Sequence, residues 1–176
     1  MSQTPERPKI YHNRRLTKRD DNQNFTVGEC VPFYFCPRSI MLYILHMGNH
    51  PDISYQGGQD PIIHLQADLC TVANAARKAS VPWVFSDVNA STCYATFYSE
   101  LDMIGQLNWA AIQSRDFRDA EIKDRKQAEF LCYGRFPWKL IEAIGVRDGS
   151  MVAQVNEILK MTNHKPPVYI RREWYF

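Results

Sequence analysis

Short apolar runs, each closed off by proline, glycine or a charged residue, dominate this sequence from Val31 onward. Even the longest of them, Ile40–Met47, contains His46. A chain built this way cannot form a membrane-spanning helix, which needs about 20 consecutive apolar residues. It has to assemble short strands and short helices around one shared core. With 176 residues there is one domain's worth of chain. A domain of that size buries roughly 70% of the surface its unfolded chain exposes, so residues 1–176 are read as a single domain. A 45% hydrophobic and 12% aromatic composition excludes a disordered polypeptide.

The first thirty residues stand apart as an irregular, cationic segment carrying Arg7, Lys9, Arg14, Arg15, Lys18 and Arg19. Beyond them, residues 31–36 predict an aromatic strand, and residues 40–46 a short helix ended by Gly48. Residues 61–65 predict a second strand. Asp68 is the expected N-cap of a helix running to Ala79, with Leu69, Val72, Ala73 and Ala76 on one face. Residues 82–85 predict a third strand, and residues 86–96 a loop. Helical patches are expected near 100–104 and 109–113, and residues 126–132 alternate as a strand does. A helix is expected to open at Pro137-Trp138, and another to cover 151–161 with Val152, Val155, Ile158 and Leu159 inward. Residues 168–170 predict a closing strand. Strands interleaved with helices and irregular connections imply a mixed α+β domain.

Charge and motifs narrow the chemistry. A net charge of +2 is too small for a charge-driven nucleic-acid binder of the histone type. The polar start of the chain lacks a signal-peptide apolar region, and the five cysteines are odd in number and scattered, so a reducing, cytoplasmic setting is expected. No C-x-x-C or H-x-x-x-H spacing occurs, so no metal is expected. The phosphate loop, the dinucleotide-binding glycine pattern, the serine nucleophile elbow and H-E-x-x-H are all missing.

Three features remain. Glu129 sits in an apolar strand between Ala128 and Phe130, and by alternation shares a side with Gln127. A glutamate facing inward from a rigid strand places negative charge beside a developing cation. The alternative is an edge-strand glutamate in water, which periodicity by itself favours. Arg14-Arg15, next to His12, can grip a pyrophosphate bidentately, unless they belong to a solvated basic tail. Tyr34, with Cys36-Pro37-Arg38-Ser39, sits where an aromatic strand hands over to a helix start. Exposed rings there would stack on bases and the helix N-terminus would favour an anion, with core packing as the alternative, a poorer fit for Arg38, which is hard to bury unpaired. His46, His50 and His64 are read as hydrogen-bonded structural residues.

Four blocks resemble a known family. They are Val31-Pro32-Phe33-Tyr34-Phe35-Cys36-Pro37-Arg38-Ser39; Tyr55-Gln56-Gly57-Gly58-Gln59 with Pro61-Ile62-Ile63-His64-Leu65; Lys126-Gln127-Ala128-Glu129-Phe130-Leu131; and Ile170-Arg171-Arg172-Glu173-Trp174-Tyr175. In this order, and with Ile10-Tyr11-His12 ahead of them, they closely resemble the DarT toxins, bacterial DNA ADP-ribosyltransferases encoded beside a macrodomain antitoxin, DarG. The resemblance implies an ADP-ribosyltransferase fold, a split, twisted β-sheet core flanked by helices. It implies NAD as a consumed substrate and transfer of ADP-ribose to a base of single-stranded DNA, thymine in the larger branch. Glu129 then takes the place of the catalytic glutamate. Arg15 takes that of the NAD-contacting arginine and shares the catalytic role, with Arg14 replacing it if the register shifts by one. His12 and Tyr34 fall in the NAD pocket, and residues 86–121 contain the loop facing DNA. The expected DNA contacts are Arg38, Met41, Asn89 and Tyr94. Partners would be single-stranded DNA and DarG, with a monomeric toxin. A degenerate relative that binds DNA without chemistry is the competing reading, and modification of another base or of a protein a third.

One departure stands out. In the family, the Ile-Tyr-His string runs on through a His-Thr segment and a few dozen residues before the arginines; here Asn13-Arg14-Arg15 follows His12 directly. The junction reads as an internal deletion or as a mobile nicotinamide-side loop missing from the sequence, and the loop is the reading adopted. A chain truly lacking that segment is expected to bind NAD weakly or not at all.

Overall fold

A computed structural model describes residues 25–176. The sequence runs without interruption through His12-Asn13, and the expectations placed on His12, Arg14, Arg15 and that junction lie outside the described residues. The described elements, in chain order, begin with β1 (Cys30–Tyr34), α1 (Ile40–Met47), β2 (His64–Gln66), α2 (Leu69–Lys78), β3 (Trp83–Ser86) and β4 (Phe97–Tyr98). There follow α3 (Trp109–Gln113), α4 (Ala120–Arg125), β5 (Glu129–Tyr133), β6 (Ala143–Val146), α5 (Gly149–Leu159) and β7 (Val168–Ile170). They form the expected α+β domain with its sheet split in two. One sheet has the order β1-β5-β3-β4, the other β2-β6-β7. Every pairing is antiparallel except β6 with β7, whose parallel register is reached through the α5 crossover. None of the described helices is long and apolar enough to cross a membrane.

Local signals start and stop these elements. Ser39 caps α1 by accepting from the Leu42 N–H at 3.1 Å. Gly48 ends the helix at φ +60°, a conformation that costs a side-chain-bearing residue energy. Asp68, Asp119 and Asp148 cap α2, α4 and α5 in the same way, each such cap contributing about 1 kcal/mol. One core joins the two sheets. Phe33, Phe85 and Phe130 come from the first, Leu65, Ile144 and Val146 from the second, and the apolar faces of α2 and α5 close over them.

Three expectations are corrected. The second strand lies at His64–Gln66 rather than 61–65, because Pro61 has no N–H and Ile62 bonds back to the Gln59 carbonyl in a turn. The strand expected at 126–132 begins at Glu129. Its first three residues continue from α4, a helix too polar to show an apolar stripe, with the Lys126 N–H reaching the Ile122 carbonyl. At Pro137 only a single 3-10 turn forms (Trp138–Leu140), and the chain then enters β6, whose four residues are all buried. A strand buried on both faces carries no alternation to read.

Trp174, Tyr175 and Phe176 pack into the fold. Trp174 lies flat on Gly145, where an added Cβ would come within 2.2 Å of the indole ring. The Tyr175 hydroxyl donates to the Ile62 carbonyl at 2.7 Å, and the Phe176 N–H to Gln59 Oε1 at 2.8 Å. Buried His64 donates from Nε2 to the Pro37 carbonyl at 3.2 Å and meets Trp174 and Tyr175 edge-on. His46 and His50 are hydrogen-bonded to Gln59 and to the Asp52 N–H, as structural histidines are. Because Gly145 is the only residue that lets the indole approach, Gly145→Ala should cost roughly 2–3 kcal/mol of unfolding free energy in urea titration.

Candidate active site

Glu129 opens β5, which is hydrogen-bonded to β1 on one side and β3 on the other. It is therefore interior to the sheet, and its side chain is 6% exposed. The reading as a solvated edge-strand glutamate is overturned by that double pairing. Ala128, Phe130 and Cys132 point into the main core, while Leu131 packs with Phe25, Val84 and Ala90 on the opposite face. Glu129 shares that second face, as alternation requires.

Two donors hold the carboxylate. The Ala90 N–H donates to Oε2 at 3.2 Å, and the hydroxyl of Tyr34, the cross-strand partner of Glu129, donates as well. The Glu129 N–H donates to Ser86 Oγ at 3.2 Å, and the Ser86 hydroxyl in turn donates to the Val88 carbonyl at 2.6 Å. Burial raises the carboxyl from its usual 4.5 to about 7, against the smaller opposing pull of those two hydrogen bonds. No cation among the described residues contributes to the balance. The side chain is thus a desolvated acid without a counter-ion among the described residues.

The β3–β4 connection, residues 87–96, is fastened over this strand. Asp87 forms an ion pair with Arg125 at 2.8 Å and also accepts from the Thr96 N–H at 2.9 Å. The Asn89 amide donates to Gln127 Oε1 at 3.3 Å, and the Tyr94 hydroxyl donates to Asp124 at 2.8 Å. Gln127 and Glu129 therefore meet the same loop from the same side. The loop contributes a main-chain donor to the carboxylate, a role without a side-chain signature, so Ala90 is not legible as a site residue, and Ser86 is linked to Glu129 only by strand pairing across the fold.

The other expected residues fall in two groups. Tyr34 is 3% exposed, clustered with Leu42, Met41, Ile62 and Phe176, so its ring is not the exposed stacking surface read from the sequence. What it presents to the site is its hydroxyl. Arg38 lays its guanidinium over the Phe176 ring, 4.3 Å from the centroid, with a buried Nε that has no hydrogen-bond partner among the described residues. Burial and the neighbouring Arg115 hold Arg38 below the usual arginine range. Met41 and Arg38 thus adjoin Tyr34 through Phe176. Asn89 lies beside Glu129, one residue from Ala90, whereas Tyr94 is 59% exposed and tied to α4. His12, Arg14 and Arg15 lie outside the described residues. Among the described residues, no group of three or more His, Cys, Asp and Glu side chains could hold a metal ion.

A dry carboxylate at the head of the central strand of a split sheet can stabilise positive charge on a sugar as a glycosidic bond breaks, which is the task of an ADP-ribosyltransferase. The family model for DarT, described as ssDNA thymidine ADP-ribosyltransferase, matches residues 2–176. The chain belongs to that family. It is 44% identical over 170 residues to a DNA ADP-ribosyl transferase of Thermus sp. (strain 2.9), covering 95% of this chain and 78% of that protein. Its fold superposes on Thermus sp. 2.9 DarT in complex with ADP-ribosylated ssDNA with a TM-score of 0.82 at 39% identity, covering 93% of this chain and 76% of the other. Against the same DarT in complex with NAD+, the TM-score is 0.77 at 37% identity, with 88% and 83% covered.

Raising an acid's pKa by burial makes its ionised form a cost to folding. Between pH 4.5 and about 7 the folded chain keeps a proton that the unfolded chain has released, so stability falls as pH rises through that window. The total is about 3 kcal/mol, fully expressed above the folded value. Glu129→Gln should remove this dependence. In urea titrations, the variant should gain on the unsubstituted chain between pH 5 and pH 8; parallel curves would mean the carboxylate is not desolvated.

Proposed function

We propose that this chain transfers ADP-ribose from NAD to thymine in single-stranded DNA and releases nicotinamide. The observation that carries the reading is the Glu129 carboxylate, buried in the central strand and oriented by the Ala90 N–H and the Tyr34 hydroxyl. Cleavage of the nicotinamide–ribose bond builds positive charge on the sugar. A carboxylate hydrogen-bonded to a ribose hydroxyl stabilises that charge most where water is excluded. With no cation among the described residues beside it, the Glu129 charge is available to the transition state.

Arg15, or Arg14 in the shifted register, would neutralise the pyrophosphate and fix the sugar, and His12 would line the nicotinamide side. The thymine ring nitrogen attacks the opposite face of the sugar once its proton has left. Of the two candidate bases, Glu129 and Arg15, the carboxyl with a value near 7 matches the task, since a guanidinium rarely gives up its own proton. Arg38, Met41, Asn89 and Tyr94 are proposed DNA contacts, reached along α1 and the 87–96 loop. A toxin acting in the cytoplasm, restrained by a macrodomain antitoxin of the DarG type, is the biological setting that family membership supports.

Glu129→Gln should lower label transfer from NAD to a thymine-containing single strand by roughly 10²–10³-fold while the circular dichroism spectrum is unchanged. Near-full activity in that variant would remove Glu129 from the mechanism. Transfer by the unsubstituted chain should fall as pH drops through about 7, because protonation removes the charge that supports the sugar cation. The shortened stretch after His12 favours a second reading, a DNA binder without chemistry. Oligonucleotides differing in a single base, incubated with NAD and weighed, separate the two: a mass gain confined to thymine supports transfer, and no gain in any sequence supports the binder.

A further inference from the structure

Lys126 is 2% exposed, yet among the described residues no ion pair joins it to a carboxylate. Its ammonium donates to the Ile112 carbonyl at 2.7 Å and to Cys36 Sγ at 3.5 Å. Cys36 is itself 5% exposed, and its S–H is directed to the Arg38 carbonyl at 3.6 Å, which leaves the sulfur lone pairs facing the lysine. A buried lysine normally needs a carboxylate or a reason to be there. Here a nucleophilic nitrogen and an oxidisable sulfur are held in contact, out of reach of reactants larger than a small oxidant. Neither takes part in the transfer reaction as derived above.

We propose that Cys36 and Lys126 form an oxidative cross-linking site. The oxidant is a peroxide. In the first step the Cys36 S–H bond and the peroxide O–O bond break and an S–O bond forms; sulfur gives up two electrons, and the peroxide is reduced to one water. Lys126 releases its ammonium proton to solvent, and the free amine attacks the sulfenic sulfur. An S–N bond forms as the S–O bond breaks, and the sulfenic oxygen leaves as a second water with one amine hydrogen. Sulfenic acids are trapped by neighbouring thiols or nitrogen nucleophiles, and the nitrogen in hydrogen-bond contact with this sulfur is Lys126 Nζ. Burial limits competing attack by solvent thiols and slows over-oxidation.

The link would join positions 90 residues apart in sequence. It ties the residue two places after Tyr34 to the residue three places before Glu129, behind the strands that carry both. Closing so long a loop constrains the unfolded chain and stabilises the fold.

The test uses the full chain carrying Cys70→Ser and Cys93→Ser, which removes the two exposed thiols. After treatment with hydrogen peroxide, tryptic mapping should find the Cys36 and Lys126 peptides joined, about 2 Da lighter than their sum, with cleavage after Lys126 lost. The thermal midpoint should rise by several degrees, and dithiothreitol should reverse both changes. A joined pair about 16 Da heavier than this is the same site with one oxygen retained, and supports the proposal. Lys126→Met should leave Cys36 without a link. If that variant does not fold, the map of the Lys126 form alone decides. Cys36 recovered as sulfinic acid or as unmodified thiol, with normal cleavage after Lys126, overturns the proposal.

Discussion

Glu129 lies between two hydrogen-bonded neighbours, β1 and β3, and that double pairing keeps a carboxylate out of water at the head of β5. Much else in the domain serves this placement. β1 supplies the Tyr34 hydroxyl directly across the ladder, β3 ends in Ser86, which accepts the Glu129 N–H, and the loop that follows returns the Ala90 N–H to the carboxylate. Both partners of the carboxylate are donors, and none among the described residues is a cation. Among the described residues the acid is therefore oriented without being neutralised, the condition under which its charge is worth most to a developing cation.

The same physics has a stability consequence of opposite sign at two places. Burial raises Glu129 and lowers His64, the latter from 6.5 to about 4. A folded-state value raised for an acid costs stability as pH rises, while one lowered for a histidine costs stability as pH falls. The two trends meet near pH 6, where both groups are mostly neutral in the folded chain. His64 belongs to the scaffold and not the chemistry. It joins the second sheet to the Pro37 carbonyl beyond β1 and packs against Trp174 and Tyr175.

Legibility in the sequence followed how much local signal each segment carries. Helices α1 and α2 announce themselves through Ser39, Gly48 and Asp68, and β7 through three β-favouring residues. α4 was hidden because Ala120–Arg125 is polar on every face, and β6 because Ala143–Val146 is buried on both, leaving no period in either. At the site, Glu129 was visible as a charge out of place in an apolar run. Ala90 was invisible, since it acts through its backbone N–H. Tyr34 was visible as an aromatic residue, but a ring that stacks and a ring that is buried with its hydroxyl on a carboxylate look alike in one dimension.

By itself, then, the amino-acid sequence determined the α+β class, most capped helices, the family, and the one acid out of place in an apolar strand, because these depend on short-range patterns and on residue types that are costly to misplace. Tertiary structure alone decided that β5 is interior, that the 87–96 loop donates to Glu129, that Tyr34 faces inward, and that Lys126 rests on Cys36. Those facts arise from contacts between segments tens of residues apart. Strand order and burial set the dielectric around a charge, and neither is encoded in the neighbours of a residue along the chain.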